Sequence, residues 1–240
     1  MQFNAASGAD PDGILLVDKP SGMTSSDVVV AIRRMFKLKK VGHGGTLDPQ
    51  ATGLLAVLVG KATRASQAVM GGDKVYEGTL RLGESTNTQD ADGERTGGSD
   101  PSAVTREALE EAVRADFTGD IFQTPPMVSA VKVNGVPLYK MARKGEEVAR
   151  EPRLVHVYAF RISEFALPDV KFTVSCTKGT YVRTLCNDIG EKLGCGGHLA
   201  ALRRIGSGRF SIDGAISWEA LRALPREALP SRLLPLSVLS

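Results

Sequence analysis

Apolar and polar positions along the chain follow two spacings, one typical of strands and one typical of helices. Alternating or continuous apolar runs predict strands at 13–18, 53–60, 74–82, 127–133, 153–165 and 170–177, with an extended segment at 199–210. Capping residues and near-helical spacing predict helices after 24–27 and at 62–70, 105–113, 138–143, 180–193 and 218–223. Because strands and helices are mixed without regular β-α-β alternation, the pattern favours an α+β fold. We expect a largely antiparallel central sheet flanked by helices.

The segments between these elements are polar or rich in glycine. Residues 1–12 are predicted to form a flexible N-terminal tail. Residues 83–101 are rich in Gly, Asp, Ser and Thr, which predicts a flexible loop, and Asn134-Gly135 predicts a hairpin-type turn. A glycine-rich loop at 41–49 precedes the apolar strand at 53–60, so this loop lies next to the predicted core.

Length and composition exclude several classes of protein. The chain has 240 residues and is 42% hydrophobic, so it can bury a substantial core. No run approaches the roughly 18 apolar residues of a membrane span. The N-terminus lacks the basic start and apolar stretch of a secretory signal. We therefore expect a cytoplasmic protein without membrane association.

Cysteine and histidine spacing argues against metal or disulfide chemistry. The three cysteines are an odd number without a Cys-x-x-Cys pair, and the three histidines are scattered. A Gly-x-Gly-x-x-Gly fingerprint after a strand is absent from the sequence, as is a phosphate-binding loop ending in Gly-Lys-Ser/Thr. The sequence therefore predicts no cofactor and no metal.

Charge is distributed unevenly, although the formal net charge is only +3. Residues 31–64 carry seven bases and one acid, residues 131–161 seven bases and three acids, and residues 178–209 six bases and two acids. Residues 84–120 carry ten acids and three bases. Three basic segments and one acidic segment suit a face that binds a polyanion, with an acidic back. Charge alone leaves ordinary solvated helix faces as an equal alternative.

Candidate chemistry concentrates in one glycine-rich segment, KVGHGGTLDPQATGLL at 40–55. Its glycines permit the close approach of another chain, and Pro49 disfavours helical backbone at Asp48. The segment is thus predicted to form a rigid bend that presents the carboxylate of Asp48 just before a buried strand. Taken alone, Asp-Pro is an ordinary turn and His43 is an ordinary surface or core histidine.

At its full length, this segment resembles the catalytic signature of the TruB family, the bacterial tRNA pseudouridine-55 synthases. The family pattern Gly-His-x-Gly-x-Leu-Asp-Pro-x-Ala-x-Gly-Leu-Leu is matched without a gap. Other segments resemble further family motifs and occur in the family's order, at 13–25 before this segment and at 74–78, 125–145, 179–185 and 198–204 after it. The resemblance implies the pseudouridine synthase fold over 13–235, with an RNA-binding, thumb-like insertion at about 122–152. A PUA-type C-terminal domain, usual in bacterial members, is expected to be absent.

The resemblance also implies which residues carry the reaction. Asp48 is the implied catalytic carboxylate, which breaks and re-forms the glycosidic link of a flipped uridine. Arg183 is its implied partner, because a nearby cation favours the ionised carboxylate. Tyr76 is implied to stack on the uracil, and its hydroxyl is a candidate for removing a proton late in the reaction. The isomerisation involves no redox step and no phosphate transfer, so it needs no cofactor.

Four further residues are implied to bind substrate. His43 would fill the gap left by the flipped nucleotide and stack in the RNA loop. Tyr181 would contact the carboxylate network or the substrate, Leu202 would pack against the base, and Lys19 would bridge structure and active site. Ordinary packing remains the alternative interpretation for Tyr76, Tyr181 and Leu202.

The implied reaction is the isomerisation of uridine 55 in the T-loop of tRNA to pseudouridine. The expected partner is the T-stem-loop of tRNA, with no obligatory protein partner, and the expected oligomeric state is a monomer. Two alternatives remain: a guide-RNA-dependent synthase resembling dyskerin, and a tRNA-folding chaperone whose catalysis is incidental.

Overall fold

The structure, a computed structural model, describes residues 11–127, 129, 132–133, 135–137, 141 and 148–239. The chain divides into two compact units. The first comprises Met1–Gly72 and Arg204–Ser240, and the second comprises Asp73–Arg203.

Strands outnumber helices among the residues that the structure describes. In chain order, the strands are β1 (Gly13–Lys19), β2 (Val41–His43), β3 (Thr52–Val59), β4 (Lys74–Leu82), β5 (Ser85–Thr86), β6 (Arg95–Gly97), β7 (Gly119–Gln123), β8 (Lys132–Val133), β9 (Val136–Pro137), β10 (Arg153–Ala166), β11 (Asp169–Cys176), β12 (Gly197–Ser207), β13 (Phe210–Ser211) and β14 (Ile216–Ser217). The α-helices are α1 (Ser25–Met35), α2 (Ser66–Met70), α3 (Arg106–Asp116), α4 (Val182–Lys192) and α5 (Trp218–Ala223). Short 3₁₀ helices lie at Gly60–Ala65, Ile212–Gly214, Arg226–Arg232 and Leu236–Leu239.

The first unit is built around β1 and β3, which pair in antiparallel fashion along their full length. On its other side, β1 pairs with β14 in parallel, while β2 pairs with β3. Odd-numbered apolar residues of β1 and β3 join α1 in one buried cluster. Even-numbered residues of the same strands pack with Val69 and Phe210 in another. Because both faces of these strands are buried, their sequences are continuous apolar runs rather than alternating ones.

Helix α1 begins at a capping box. The hydroxyl of Thr24 accepts a hydrogen bond from the backbone N–H of Asp27 at 3.0 Å, and the carboxylate of Asp27 accepts one from the N–H of Thr24 at 2.9 Å. Both interactions satisfy donors that a helix N-terminus leaves unpaired. They fix the start of α1, whose first residue, Ser25, is buried.

The second unit contains the antiparallel succession β4, β11, β10 and β7. Helix α3 packs against β10 and α4. The ring of Phe172 lies over Gly78, where an added Cβ would come within 2.4 Å of it, and it stacks on Phe160 at 4.6 Å. All three cysteines lie in this unit, and all are free and buried. Burial raises the pKa of the Cys176 thiol to about 11.

The fold class predicted from the sequence is confirmed: the protein is α+β with mostly antiparallel strands. The helix predicted at 62–70 begins instead as the 3₁₀ helix Gly60–Ala65 and continues as α2. The helix predicted at 180–193 starts two residues later, at Val182. In the part of the chain that the structure describes, the longest helices are too short to span a bilayer.

Three further differences concern strands. The loop predicted at 83–101 contains the short hairpin β5–β6. Strand β7 was missed, because its own residues show little apolar alternation and its pairing with β10 determines its conformation. Among the described residues of the strand predicted at 127–133, only those of β8 are extended, and β8 pairs with β9 around Gly135. Residues 128, 130 and 131 of that prediction, and most of the helix predicted at 138–143, lie outside the described residues.

Candidate active site

Asp48 lies in the loop between β2 and β3, on a turn that its own backbone closes. The carbonyl of Asp48 accepts a hydrogen bond from the N–H of Ala51 at 3.1 Å. Asp48 is exposed, whereas Leu47 before it is buried. The predicted bend is therefore present, and the exposed Asp48 directly follows the buried Leu47.

The first support of this loop is Lys19, which is fully buried. Its ammonium donates to the carbonyls of Pro20 at 2.9 Å, Met23 at 2.6 Å and Pro49 at 3.0 Å. The carbonyl of Pro49 also accepts from the N–H of Gly22 at 2.9 Å. The turn that follows β1 thus holds the residue directly after Asp48.

The charge state of Lys19 suits this role. Burial lowers the pKa of Lys19 to about 8, an effect that the carboxylate of Asp48 opposes and the guanidinium of Arg204 reinforces. At neutral pH the group is still mainly an ammonium, with three N–H donors for three carbonyl acceptors. The structure therefore places Lys19 beneath the loop as a main-chain support that also lies in the field of Asp48.

The second support is Ser25, at the start of α1. Its hydroxyl accepts from the N–H of Leu47 at 2.9 Å and donates to the carbonyl of Leu47 at 3.3 Å. One side chain therefore satisfies both main-chain groups of the residue directly before Asp48.

The third support is Arg204, which is 2% exposed. Its guanidinium donates to the carbonyls of Leu54 at 2.8 Å, Thr46 at 3.1 Å and Gly45 at 3.3 Å. These carbonyls lie at the beginning and the end of the loop. Both ends of the segment that carries Asp48 are thus bound to one planar group.

His43, at the end of β2, belongs to the same unit and is half-buried. Burial lowers the pKa of its imidazole, the guanidinium of Arg204 lowers it further, and a hydrogen bond with the Gly45 backbone works in the opposite direction. At neutral pH the ring is therefore mainly uncharged. A neutral ring can stack on a base without the cost of a buried charge.

In the second unit, Arg183 lies near the start of α4 and is 5% exposed. Its guanidinium donates to the carbonyl of Thr88 at 3.1 Å and to the carboxylate of Asp90 at 3.3 Å. Sequence reasoning did not identify Asp90, because this residue lies in a polar segment that was expected to be a flexible loop.

Asp90 is itself held by side chains and backbone of the β5–β6 hairpin. Its carboxylate accepts from the hydroxyl of Thr88 at 2.5 Å and from the N–H of Asp92 at 3.1 Å. Its carbonyl accepts from the hydroxyl of Thr86 at 2.7 Å. The acidic segment therefore contains a fixed anion that orients Arg183.

The two tyrosines and Leu202 also lie in the second unit. Tyr76 is buried on β4, opposite Val174 of β11. Tyr181 precedes α4 and is half-buried, and both of its backbone groups pair with the side-chain amide of Gln123 at 3.0 and 3.2 Å. Leu202 is half-buried on β12.

The predicted site residues therefore fall into two groups. The structure brings Lys19, His43 and Asp48 together in the first unit; Tyr76, Tyr181, Arg183 and Leu202 belong to the second. Sequence reasoning missed three further residues, Ser25, Asp90 and Arg204. Ser25 was noted as a candidate helix-capping residue and as the end of one family motif, and Arg204 only as part of another motif. Within the described residues, His, Cys, Asp and Glu side chains form no group of three that could hold a metal ion.

The fold is α+β and carries an exposed carboxylate in its candidate site, and family comparison identifies the class of protein. Residues 33–182 match the family described as TruB family pseudouridylate synthase, N-terminal domain. Residues 183–239 match the tRNA pseudouridylate synthase B C-terminal domain. The chain belongs to the TruB family of pseudouridylate synthases, as its motifs predicted.

Curated relatives agree with this assignment. The chain is 54% identical over 224 residues to tRNA pseudouridine synthase B of Opitutus terrae, covering 93% of this chain and 92% of the relative. It is 48% identical over 226 residues to the protein of the same name from Syntrophotalea carbinolica, covering 94% of this chain and 74% of the relative.

Solved structures show the same fold. A chain in the crystal structure of a Cbf5-Nop10-Gar1 complex is 30% identical, with a TM-score of 0.74, and the match covers 99% of this chain and 67% of that one. A chain in an H/ACA RNP bound to a substrate RNA containing 2′-deoxyuridine is 31% identical, with a TM-score of 0.67. That match covers 88% of this chain but only 52% of the other, so this chain spans about half its length.

Proposed function

We propose that the protein isomerises uridine 55 in the T-loop of tRNA to pseudouridine, with Asp48 as the catalytic carboxylate. Family membership and the names of the curated relatives support pseudouridine formation in tRNA. The single observation that carries the residue assignment is the geometry of the loop. Asp48 is exposed while the residues on both sides of it are anchored through their main chain.

Anchoring of this kind suits a carboxylate that must meet one ribose carbon. The reaction breaks the bond between N1 of uracil and C1′ of the ribose, and it rejoins the base through C5. An ionised Asp48 acts at this centre, either by attacking C1′ or by stabilising positive charge there as the base departs. A loop fixed before substrate arrives lowers the entropic cost of this alignment.

The reacting uridine must first leave the RNA stack, at a cost of a few kcal/mol. His43 would stack in the vacated space, and its lowered pKa supports this role because the ring is mainly uncharged at neutral pH. Tyr76 would stack on the flipped uracil, and its hydroxyl would remove a proton late in the reaction. Tyr181 and Leu202 would contact the base from the same unit as Tyr76.

Arg183 would act as the cation that keeps Asp48 ionised, and Lys19 would support the loop from below. The hydrogen bonds from Arg183 to Asp90 and Thr88 support a fixed guanidinium, since they restrain a side chain that is otherwise flexible.

In this proposal, residues 13–235 form one catalytic domain, and the insertion at about 122–152 grips the T-stem-loop through its basic residues. The protein would act as a monomer in the cytoplasm without a protein partner. Contacts between these basic residues and RNA phosphates would give an affinity that falls as the salt concentration rises.

The proposal is tested with unmodified tRNA that carries tritium at C5 of uridine. Purified protein alone should release tritium, and mapping should place pseudouridine at position 55. Asp48→Asn should abolish release yet bind tRNA like the wild type. Asp213→Asn is the matched control, because Asp213 is an exposed aspartate of the same unit whose carboxylate accepts from Ser211. Release by Asp48→Asn at the wild-type rate would refute the residue assignment.

The same assay separates the two alternatives. The likeness to a chain of the Cbf5-Nop10-Gar1 complex gives the guide-RNA-dependent alternative a specific basis. That alternative requires release only when guide RNA and partner proteins are added. A folding chaperone would anneal tRNA with little release, and its annealing would survive Asp48→Asn.

A further inference from the structure

Arg204 combines two properties that are costly together, complete burial and a permanent positive charge. It is 2% exposed, and its three hydrogen bonds within the described residues all go to main-chain carbonyls. A hydrocarbon side chain would fill the same volume without the desolvation cost of a cation. A purely packing role therefore does not explain an arginine at this position.

The three acceptors explain the arginine better. Gly45 and Thr46 lie before Asp48 in sequence, whereas Leu54 follows it on β3. Nε and the two Nη atoms of one rigid guanidinium thus bind the entry and the exit of the loop. A guanidinium spreads its donors over three nitrogen atoms in one plane, whereas a lysine ammonium donates from a single atom, so the guanidinium suits carbonyls at two separate parts of the loop.

The backbone of Arg204 fixes the same loop a second time. Gly53 has a φ of +97°, and a Cβ added there would lie 2.3 Å from the carbonyl oxygen of Arg204. The strand that carries Arg204 therefore lies directly against the exit of the loop. The main chain of Arg204 packs against Gly53, and its side chain binds the carbonyls of the same loop.

The field of Arg204 reaches two other residues of the candidate site. Its charge contributes to the lowered pKa of both His43 and Lys19. Both residues therefore lie within reach of the charge of Arg204.

We propose that Arg204 is a positioning residue that sets the location of the Asp48 carboxylate by clamping both ends of its loop. Ser25 performs the complementary task at Leu47, inside the clamp. The proposal rests on the proposed function, because a misplaced carboxylate slows the reaction only if Asp48 carries it.

The test measures single-turnover tritium release and tRNA binding separately. Arg204→Lys keeps the charge but loses the fork, so the rate should fall by about 10²-fold, the loss expected when a reacting group is misplaced by about 1 Å. The dissociation constant for tRNA should stay within about threefold of wild type. Arg204→Ala should be slower still, and millimolar guanidinium should restore part of its rate by occupying the vacated space.

Two controls separate positioning from loss of folding. Leu221→Ala removes a fully buried side chain of the first unit's core and lowers the melting temperature without touching the loop. It should keep the wild-type rate well below its melting temperature and gain nothing from guanidinium. Arg209→Lys changes a surface arginine that donates to the carbonyl of Val238, and it should behave like wild type.

Ser25→Ala keeps the proposal testable if the Arg204 variants do not fold. It removes both hydrogen bonds to Leu47, so it should reduce the rate with unchanged tRNA affinity. The proposal is overturned if Arg204→Lys folds and reacts at the wild-type rate. If Arg204→Lys does not fold, a wild-type rate in Ser25→Ala overturns it. If Asp48→Asn also releases tritium normally, the assignment of Asp48 in the proposed function has failed, and the two outcomes are thus distinguishable.

Discussion

At the scale of single residues, the candidate site depends on donors that reach main-chain carbonyls. Lys19, Ser25 and Arg204 are all buried, and each binds a residue close to Asp48 in sequence. A buried carbonyl left without its donor costs about 1–3 kcal/mol, so the loop has a strong preference for this arrangement. None of the three needs to touch substrate in order to affect the reaction.

The ammonium of Lys19 predicts a loss of activity at alkaline pH. Its pKa is lowered to about 8, chiefly by burial. The neutral amine has only two N–H donors for three carbonyls, so the support at Pro49 weakens. The single-turnover rate should therefore fall as pH rises through about 8. Lys19→Arg, which stays protonated, should be slower at neutral pH but lack this fall.

Stability responds to the same group with the opposite sign. The folded-state pKa lies below the ordinary value of 10.5, so between about 8 and 10.5 the unfolded chain binds more protons at Lys19. The contribution of Lys19 to the free energy of unfolding therefore rises with pH in this window. Thermal melts of wild type and Lys19→Arg across the pH series measure it. The activity prediction for Lys19 is contradicted if the single-turnover rate of the wild type does not change as pH rises through about 8.

At the scale of elements, α1 connects stability to the site, because its first residue is Ser25. The capping box of Thr24 and Asp27 fixes where the helix begins and therefore where the hydroxyl of Ser25 lies. A displacement of the first turn of α1 should therefore move Leu47, which Ser25 binds, and with it the adjacent Asp48.

Replacing the cap tests this connection. Thr24→Ala should lower the free energy of unfolding by about 1 kcal/mol, because a helix donor loses its partner. It should also slow single-turnover release, since the first turn of α1 frays. The matched control is Ser217→Ala, since Ser217 caps α5 by accepting from the N–H of Ala220 at 3.2 Å. Urea unfolding should show a similar loss for both, and only Thr24→Ala should lose rate.

The β5–β6 hairpin makes a comparable contribution through Asp90. Asp90→Asn removes the anion that holds the guanidinium of Arg183, and a hydrogen bond between charged groups is worth about 1.5–3 kcal/mol. If Arg183 assists Asp48, single-turnover release should fall by roughly ten- to a hundredfold with tRNA affinity retained. Asp169→Asn, which breaks an exposed pair with Arg81, should leave the rate unchanged. Equal rates in both variants would contradict this role.

Elements differ in how far the sequence alone predicts them. The strands around the buried core and the Asp48 loop were predictable, because apolar runs and a long gapless motif are local signals. Arg204 was not assigned its role, since its acceptor Leu54 lies 150 positions away and only the fold brings them together. Asp90 was missed for the opposite reason: a polar, glycine-containing segment predicts a flexible loop, but its internal hydrogen bonds order it.

At the scale of the whole molecule, the basic segments remain candidates for binding a polyanion, and the first of them includes cations at the end of one helix. The last turn of α1 and the residue that follows its C-cap expose Arg33, Arg34 and Lys37. Cations at a helix C-terminus are stabilised by the helix dipole, so structure alone accounts for part of this cluster. RNA binding would add a second role, and the two roles differ in how they respond to salt.

Salt dependence decides between these roles. If Arg33, Arg34 and Lys37 neutralise RNA phosphates, changing all three to Gln should weaken tRNA binding and flatten the plot of log K against log salt. The slope should lose about 0.7–0.9 for each phosphate contact removed. The rate at saturating enzyme should stay at the wild-type value, because the cluster binds RNA but does not align Asp48. Lys171→Gln removes an exposed lysine paired with Glu164 and should leave the slope unchanged. A triple variant with the wild-type slope would show that these cations serve the helix alone.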